Sequence, residues 1–249
     1  MLAYEAHGPL DAPVVLLGSS LGTTGAMWAP QMSALRDQFR VVTFDHRGHG
    51  GSPVPPGPYT LADLGQDVLA LLDHLGLARV HYAGLSLGGM VGMWLAAHAP
   101  ERVDRLALLC TAAHLPPATG WHERAATVRA AGMSAVADAV VARWFTPGAR
   151  PSDVAAFTKA LVAIDPEGYA GCCEAIAAMD LRPVLPRITA PTLVVAGEAD
   201  PATPPVLLQA IVDGIPGSAS HVLPDAAHLA NVEQADRVTD LLRRHFTAG

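Results

Sequence analysis

Short apolar runs alternate with amphipathic stretches along most of this chain. Val14-Val15-Leu16-Leu17, Val41-Val42-Thr43-Phe44, Val80 to Ala83, Leu106-Ala107-Leu108-Leu109 and Thr192-Leu193-Val194-Val195 read as buried strands, because continuous aliphatic runs of this length suit a sheet covered on both faces. The clearest helix runs from Leu61 to Leu75, where Leu61, Leu64, Val68, Leu71, Leu72 and Leu75 form one apolar stripe. Thr60 is placed to cap its start with Asp63 nearby, and Gly76 to end it. Strand and helix in alternation predict an α/β fold, a mostly parallel central sheet with helices on both faces. From about Leu115 to Arg187 the strand pattern disappears. That segment is Ala-rich, helical in texture and broken at Pro147, Pro151 and Pro166-Glu167-Gly168. An all-helical insertion between two strands of one sheet reads as a lid over the sheet's C-terminal edge, where open α/β sheets bind ligands. The expected division is a core of residues 1–114 and 187–249 with an inserted helical lid of 115–186.

Composition narrows the function classes. Over 249 residues, 51% are hydrophobic and 16% charged, enough apolar material for one sizeable domain. The net charge of −7 argues against nucleic acid or an anionic membrane as the partner. No apolar run reaches membrane-spanning length, and the N-terminus lacks a basic stretch followed by a hydrophobic one. Cys110, Cys172 and Cys173 are an odd set with two adjacent members and no metal-ligand spacing, so a reducing cytoplasm is expected. Nothing in the sequence signals an oligomeric state.

The chemistry starts at Gly84-Leu85-Ser86-Leu87-Gly88. This G-x-S-x-G pentapeptide follows the strand at Val80 and precedes a helix-like stretch from Gly89 to His98, the strand–turn–helix context of a nucleophile elbow. In so tight a turn, side chains two before and two after the serine would collide, and glycine removes the collision. The serine hydroxyl then stands clear at the strand tip, where the following helix N-terminus favours developing negative charge.

A serine needs a base, and the base an orienting acid, in the chain order Ser, Asp or Glu, His. Asp200 lies just past the strand Thr192–Val195, beside Gly197 and before Thr203-Pro204-Pro205, which opens a new helix. It is the first choice as acid, with Glu198 second. Of 11 histidines, His228 follows the strand-like His221-Val222-Leu223 and the loop Pro224-Asp225-Ala226-Ala227, and precedes a helix expected from Val232 to Phe246. A loop after the last strand can return an imidazole to the serine. His81 and His221 lie within strands and His245 ends a helix, so these read as packing or surface. His46 and His49, in Asp45-His46-Arg47-Gly48-His49-Gly50, lack a third ligand, and no metal or cofactor is expected. The oxyanion hole needs two donors. One is the N–H of Leu87; the other comes from Gly18-Ser19-Ser20-Leu21-Gly22, with Ser20 the first choice and Leu21 the second.

These residues resemble those of the α/β-hydrolase superfamily, and further stretches resemble the 3-oxoadipate enol-lactonases of aromatic-compound degradation. The similarity runs through Ser20-Leu21-Gly22-Thr23 with Met27-Trp28, the Asp45–Gly50 turn, Pro55-Pro56-Gly57-Pro58-Tyr59-Thr60 and the elbow through Gly92. It continues in Arg143-Trp144-Phe145-Thr146, Gly168-Tyr169-Ala170-Gly171-Cys172-Cys173 with Met179-Asp180-Leu181, and Ala227-His228-Leu229-Ala230-Asn231-Val232-Glu233. The lid matches are the specific ones, because lids diverge fastest between substrate classes. The chain departs from the pattern in carrying Ser19 where relatives often have Asn. The first edge strand is expected to be absent, because Met1-Leu2-Ala3-Tyr4 resembles part of what is usually the second strand, and the decarboxylase module fused to some relatives is expected to be absent as well.

The resemblance implies a small-molecule lactone substrate carrying a carboxylate. Such a substrate should need a cation or several hydrogen-bond donors nearby; Trp121 and Trp144 are candidate walls, with Arg124 or Arg143 as the counter-charge. The competing readings are a general carboxylesterase or cofactor-free perhydrolase, and a non-catalytic binding module. Perhydrolases of this fold usually present an aromatic residue after a His-Gly pair, where this chain has Gly18-Ser19-Ser20.

Overall fold

The computed structural model describes residues 1–248. Seven strands form one sheet in the order β1-β3-β2-β4-β5-β6-β7. They are β1 (Tyr4–His7), β2 (Val14–Gly18), β3 (Arg40–Phe44), β4 (Val80–Leu85), β5 (Val103–Leu109), β6 (Thr192–Gly197) and β7 (Ala219–Leu223). Only β1 runs antiparallel, pairing Tyr4 with Phe44 and His7 with Val41; every other pairing is parallel. The central strand β4 is buried along its full length, whereas β1 is exposed throughout and β7 is exposed except at Leu223. That burial explains the sequence: central strands are continuously aliphatic, while the edges carry Tyr, Glu and His among their residues.

The helices are α1 (Ala29–Leu35), α2 (Leu61–His74), α3 (Leu87–His98), α4 (Ala118–Ala131), α5 (Ala137–Val141), α6 (Pro151–Val162), α7 (Pro166–Ala178), α8 (Leu208–Gly214), α9 (Ala230–Glu233) and α10 (Ala235–Thr247). The α2 start is a capping box. Asp63 N–H donates to Thr60 Oγ1 at 3.1 Å and Thr60 N–H to Asp63 Oδ2 at 2.8 Å. Its end is followed by Gly76 at φ +66°, a conformation glycine adopts without penalty. α3 is buried from Leu87 to Ala97, which is why it has no polar face. The helix expected from Val232 to Phe246 is instead two, α9 and α10. Gln234 between them leaves helical geometry at φ −119°, ψ 48°, and its side chain donates to the carbonyl of Asp225 at 3.1 Å.

Between β5 and β6 the chain forms α4, α5, α6 and α7, and no strand. A single antiparallel bridge, His114 to Asp180, brings the two ends of this insertion together. α4 and α7 are locked by Arg129, whose guanidinium pairs with both Glu167 and Glu174. α7 also meets the sheet side of the molecule with no side chain between: a Cβ on Gly168 would lie 2.2 Å from the Cα of Gly48. The backbone of α7 therefore rests directly on the backbone of the Asp45–Gly50 turn.

Candidate active site

β4 ends at Leu85, and Ser86 takes φ 56°, ψ −115° before α3 begins at Leu87, a strained conformation for a residue with a side chain. The two glycines fit for different reasons. A Cβ on Gly84 would meet the Gly88 carbonyl oxygen at 2.2 Å, whereas one on Gly88 would meet the carbonyl of Gly18 on β2 at 2.3 Å. So Gly84 permits the turn, and Gly88 permits the elbow to seat on the neighbouring strand. The seat is hydrogen-bonded: Ser86 N–H donates to Leu109 O at 2.9 Å, Thr111 Oγ1 to Ser86 O at 2.7 Å and Tyr82 Oη to Gly88 O at 2.9 Å.

Asp200 and His228 are both buried, and His228 Nδ1 lies 2.8 Å from Asp200 Oδ2. A carboxylate only accepts, so Nδ1 carries the proton and Nε2 is free to take one. Asp200 is held by three further donations: Ala202 N–H at 2.8 Å, Thr203 N–H at 3.0 Å and Thr203 Oγ1 at 2.7 Å. Burial pushes the Asp200 carboxyl up, but the hydrogen bond and charge of His228, with the Thr203 donors, outweigh it and hold it below the usual carboxylate range. Glu198, the second choice as acid, is exposed. Ser86 Oγ makes no hydrogen bond among the described residues, and His228 Nε2 faces Ser20 Oγ at 3.5 Å. Catalytic hydrogen bonds are commonly long until a substrate is seated.

The loop after β2 is tied down group by group. Ser19 O accepts from Gly88 N–H at 3.0 Å and from His46 Nε2 at 3.1 Å. Ser20 N–H is directed at Met27 Sδ, 3.3 Å away, and Thr23 Oγ1 donates to the same sulfur at 3.0 Å. Gly22 N–H donates to His49 Nε2 at 3.0 Å. The N–H groups of Leu21 and, at the start of α3, Leu87 have no acceptor among the described residues. Ser20, the first choice as oxyanion donor, thus has its N–H directed at a thioether, whereas the N–H of Leu21, the second choice, is left without an acceptor among the described residues. Both histidines are fully buried. Burial, then the neighbouring His49, pushes His46 down to about 3 against the opposing hydrogen bond to Ser19. Burial likewise takes His49 to about 4 despite the Arg47 carbonyl and Asp45. They are neutral loop supports; among the described residues no group of three or more His, Cys, Asp or Glu side chains could hold a metal ion.

Above Ser86 and His228 a cleft is lined by Ser20, Leu21, Thr203, Trp121, Arg124, Arg143, Trp144 and Tyr169, with the aliphatic side chains of Leu115, Val140 and Ile176. All four side chains named as walls or counter-charge in the insertion thus meet the serine in one cavity. Trp121 donates Nε1–H to Leu115 O at 3.0 Å, and the Arg124 guanidinium stands 4.5 Å over its ring. Neither Arg124 nor Arg143 pairs with a carboxylate among the described residues. Burial, then the Arg124 charge, lowers the Arg143 pKa.

The model for the α/β-hydrolase fold matches residues 13–153. 3-Oxoadipate enol-lactonase 2 of Acinetobacter baylyi is 42% identical over 236 residues, covering 94% of this chain and 88% of that protein. The crystal structure of the enol-lactonase from Burkholderia xenovorans LB400 superposes with a TM-score of 0.97 at 43% identity, covering 99% of this chain and 96% of that one. This chain belongs to the 3-oxoadipate enol-lactonase family of α/β hydrolases. It is accordingly an enzyme that hydrolyses ester bonds. A malate-bound thermophilic esterase from Thermogutta terrifontis shares the architecture at a TM-score of 0.92 and 32% identity, covering 98% of this chain and 92% of that one.

For this family member, three site features escaped sequence reasoning. Thr203 was legible only as a helix opener, yet its hydroxyl bridges toward both Asp200 and, at 3.3 Å, His228 Nδ1. Tyr169 stood inside a family-like stretch without a role and proves to line the cleft. His46 and His49 carry no role in the sequence beyond a metal reading that lacks a third ligand, and only the folded chain brings them under the loop after β2. The three cysteines are free and buried. No helix among the described residues is long and apolar enough to cross a membrane.

Proposed function

We propose that this hydrolase opens 3-oxoadipate enol-lactone, a five-membered enol-lactone bearing an acetate arm, to 3-oxoadipate, through an acyl-enzyme on Ser86. The observation that carries the reading is the pair of guanidiniums, Arg124 and Arg143, without carboxylate partners among the described residues in the cleft that holds Ser86 and His228. A neutral ester gives such a site nothing to compensate; a lactone carrying a carboxylate does. The family relationship supports the same substrate class.

In this reading Ser86 Oγ attacks the lactone carbonyl while His228 Nε2 takes its proton. Asp200, bonded to Nδ1, stabilises the resulting imidazolium. The N–H groups of Leu21 and Leu87 hold the oxyanion, aided by the N-terminus of α3. Collapse breaks the ring C–O bond; the enolate oxygen leaves, receives the proton from His228 and tautomerises to the ketone. Water then gives a proton to His228 Nε2 and attacks the acyl carbon. Release of Ser86, reprotonated by His228, leaves the second carboxylate of the product. Residues 115–186 act as the lid, contributing Trp121, Trp144, Arg124 and Arg143 to the substrate side. The buried thiols suit a reducing, cytoplasmic setting.

The test follows loss of enol-lactone absorbance with wild type, Ser86→Ala and His228→Ala. Turnover by wild type and background rates for both variants are expected. Efficient cleavage of p-nitrophenyl acetate with no lactone turnover would assign the protein instead as a general carboxylesterase.

A further inference from the structure

Two of the family-like stretches, Arg143–Thr146 and Ala227–Glu233, lie far apart in sequence and meet at one carboxylate. Glu233, at the end of α9, accepts on Oε1 from Thr146 N–H at 2.8 Å and from Thr146 Oγ1 at 2.7 Å. Its Oε2 accepts from Ala227 N–H at 2.7 Å. A second link runs alongside: Leu229 N–H donates to Trp144 O at 2.9 Å. The residues immediately before and after His228 are thus bonded to the segment that carries Arg143 and Trp144, or to the carboxylate that holds it. No cation pairs with Glu233 among the described residues, where these three donors are its hydrogen-bond partners.

Gln234 Nε2 also donates to Asp225 O at 3.1 Å, and further contacts hold the His228 loop from the sheet side. Ala199 N–H donates to Ala226 O at 2.9 Å, and a Cβ on Gly197 would strike Ala227 O at 2.3 Å. These hold the loop on β6 but do not sense the insertion. We infer that Glu233 is a positioning residue that ties the substrate-side segment Arg143–Thr146 to the loop of His228. The base is thereby kept in register with the wall that orients the substrate. A carboxylate is required by the geometry. Three donors converge on two oxygens, and a glutamine would turn its NH₂ toward either Thr146 or Ala227, donor against donor. Displacing a catalytic group by about 1 Å costs on the order of 10²-fold in rate, so a small slackening is measurable.

The inference rests on His228 being the base, and that premise is checked separately by the His228→Ala variant above. The experiment uses the full chain as wild type, Glu233→Gln and Thr146→Val, the last removing the hydroxyl but keeping the N–H. Each is assayed for kcat and KM on the enol-lactone, for the rate of Ser86 labelling by an aryl phosphonate too small to need the arginines, and for thermal unfolding. The expected result is that Glu233→Gln lowers kcat and the labelling rate together, by about ten- to a hundred-fold. Thr146→Val falls between it and wild type, and both variants unfold cooperatively. A rise in KM with an unchanged labelling rate would overturn the inference, leaving Glu233 as a pocket-shaping residue only. So would a lowered melting temperature with wild-type kinetics, which marks a purely structural bond. Should Glu233→Gln not fold, Thr146→Val is judged by the same two criteria.

Discussion

His49 accepts the N–H of Gly22 on Nε2 at 3.0 Å while its Nδ1 faces the Arg47 carbonyl at 3.2 Å. One imidazole therefore joins the Asp45–Gly50 turn to the loop that presents Leu21 N–H, and it does so only when neutral. Protonation would put a donor on Nε2 facing another donor.

Acid should act on stability through that arrangement. In the folded protein His49 is held at about 4 and His46 at about 3, against an unfolded value near 6.5. Between roughly pH 6.5 and pH 4 the unfolded chain binds protons that the folded chain refuses, so stability falls as pH falls, by about 1.4 kcal/mol per pH unit for each histidine. His245, also lowered to about 4, adds in the same window. Below it Asp200, held under the usual carboxylate range, loses its contribution as it protonates. Urea midpoints at pH 7, 6 and 5 should decline for wild type. His49→Gln, which keeps an acceptor for Gly22 without a titrating ring, should decline less steeply. Equal slopes for the two proteins would discount His49.

Removing a guanidinium from the cleft should separate binding from chemistry. Arg143→Gln is expected to raise KM for the enol-lactone about ten- to a hundred-fold, the equivalent of one charge-assisted hydrogen bond of about 1.5–3 kcal/mol. The effect on kcat/KM for p-nitrophenyl acetate should be far smaller. Equal losses on both substrates would show that Arg143 supports the site rather than reads a carboxylate.

Ser19 offers a prediction in the opposite direction. Its hydroxyl is buried with no hydrogen-bond partner, while its carbonyl does the structural work for Gly88 and His46. Ser19→Ala removes an unsatisfied group worth about 1–3 kcal/mol and leaves the backbone bonds in place. Chemical denaturation should therefore give equal or greater stability; a loss beyond about 1 kcal/mol would point to a hydroxyl partner.

The two glycines Gly88 and Gly120 make a matched pair. A Cβ on Gly88 would lie 2.3 Å from the Gly18 carbonyl oxygen, whereas one on Gly120 meets nothing within 4 Å. Gly88→Ala should cost about 1–3 kcal/mol of stability and on the order of 10²-fold in kcat/KM as the elbow lifts from β2. Gly120→Ala, inside α4, should instead gain up to about 1 kcal/mol. Melting curves of the two single variants decide the matter.

The sequence was most readable where one local rule governs. Aliphatic runs marked the buried strands, Thr60 and Asp63 marked the start of α2, and the elbow marked Ser86. It was less readable where a group's partner comes from another part of the chain. The choice between Ser20 and Leu21 depends on where a thioether seven residues later points, which no spacing encodes. The break at Gln234 interrupts a pattern that is helical on both sides, and it coincides with a side-chain bond to Asp225, nine residues earlier. His46 and His49 look like a polar turn until folding buries them. Edge strand β7 was only partly visible because four of its five residues face solvent, which weakens the apolar signal.

The bare contact of Gly48 with Gly168 has a consequence for how this enzyme can change. The turn under α7 also supports the loop after β2 through His46 and His49, so the helical insertion and the surroundings of Ser86 share one joint. A side chain at either glycine would pry both apart at once. Enlarging the chamber for a bulkier acyl group must therefore spare this joint, and Val140, which lines the cleft from α5, is the place to trade volume.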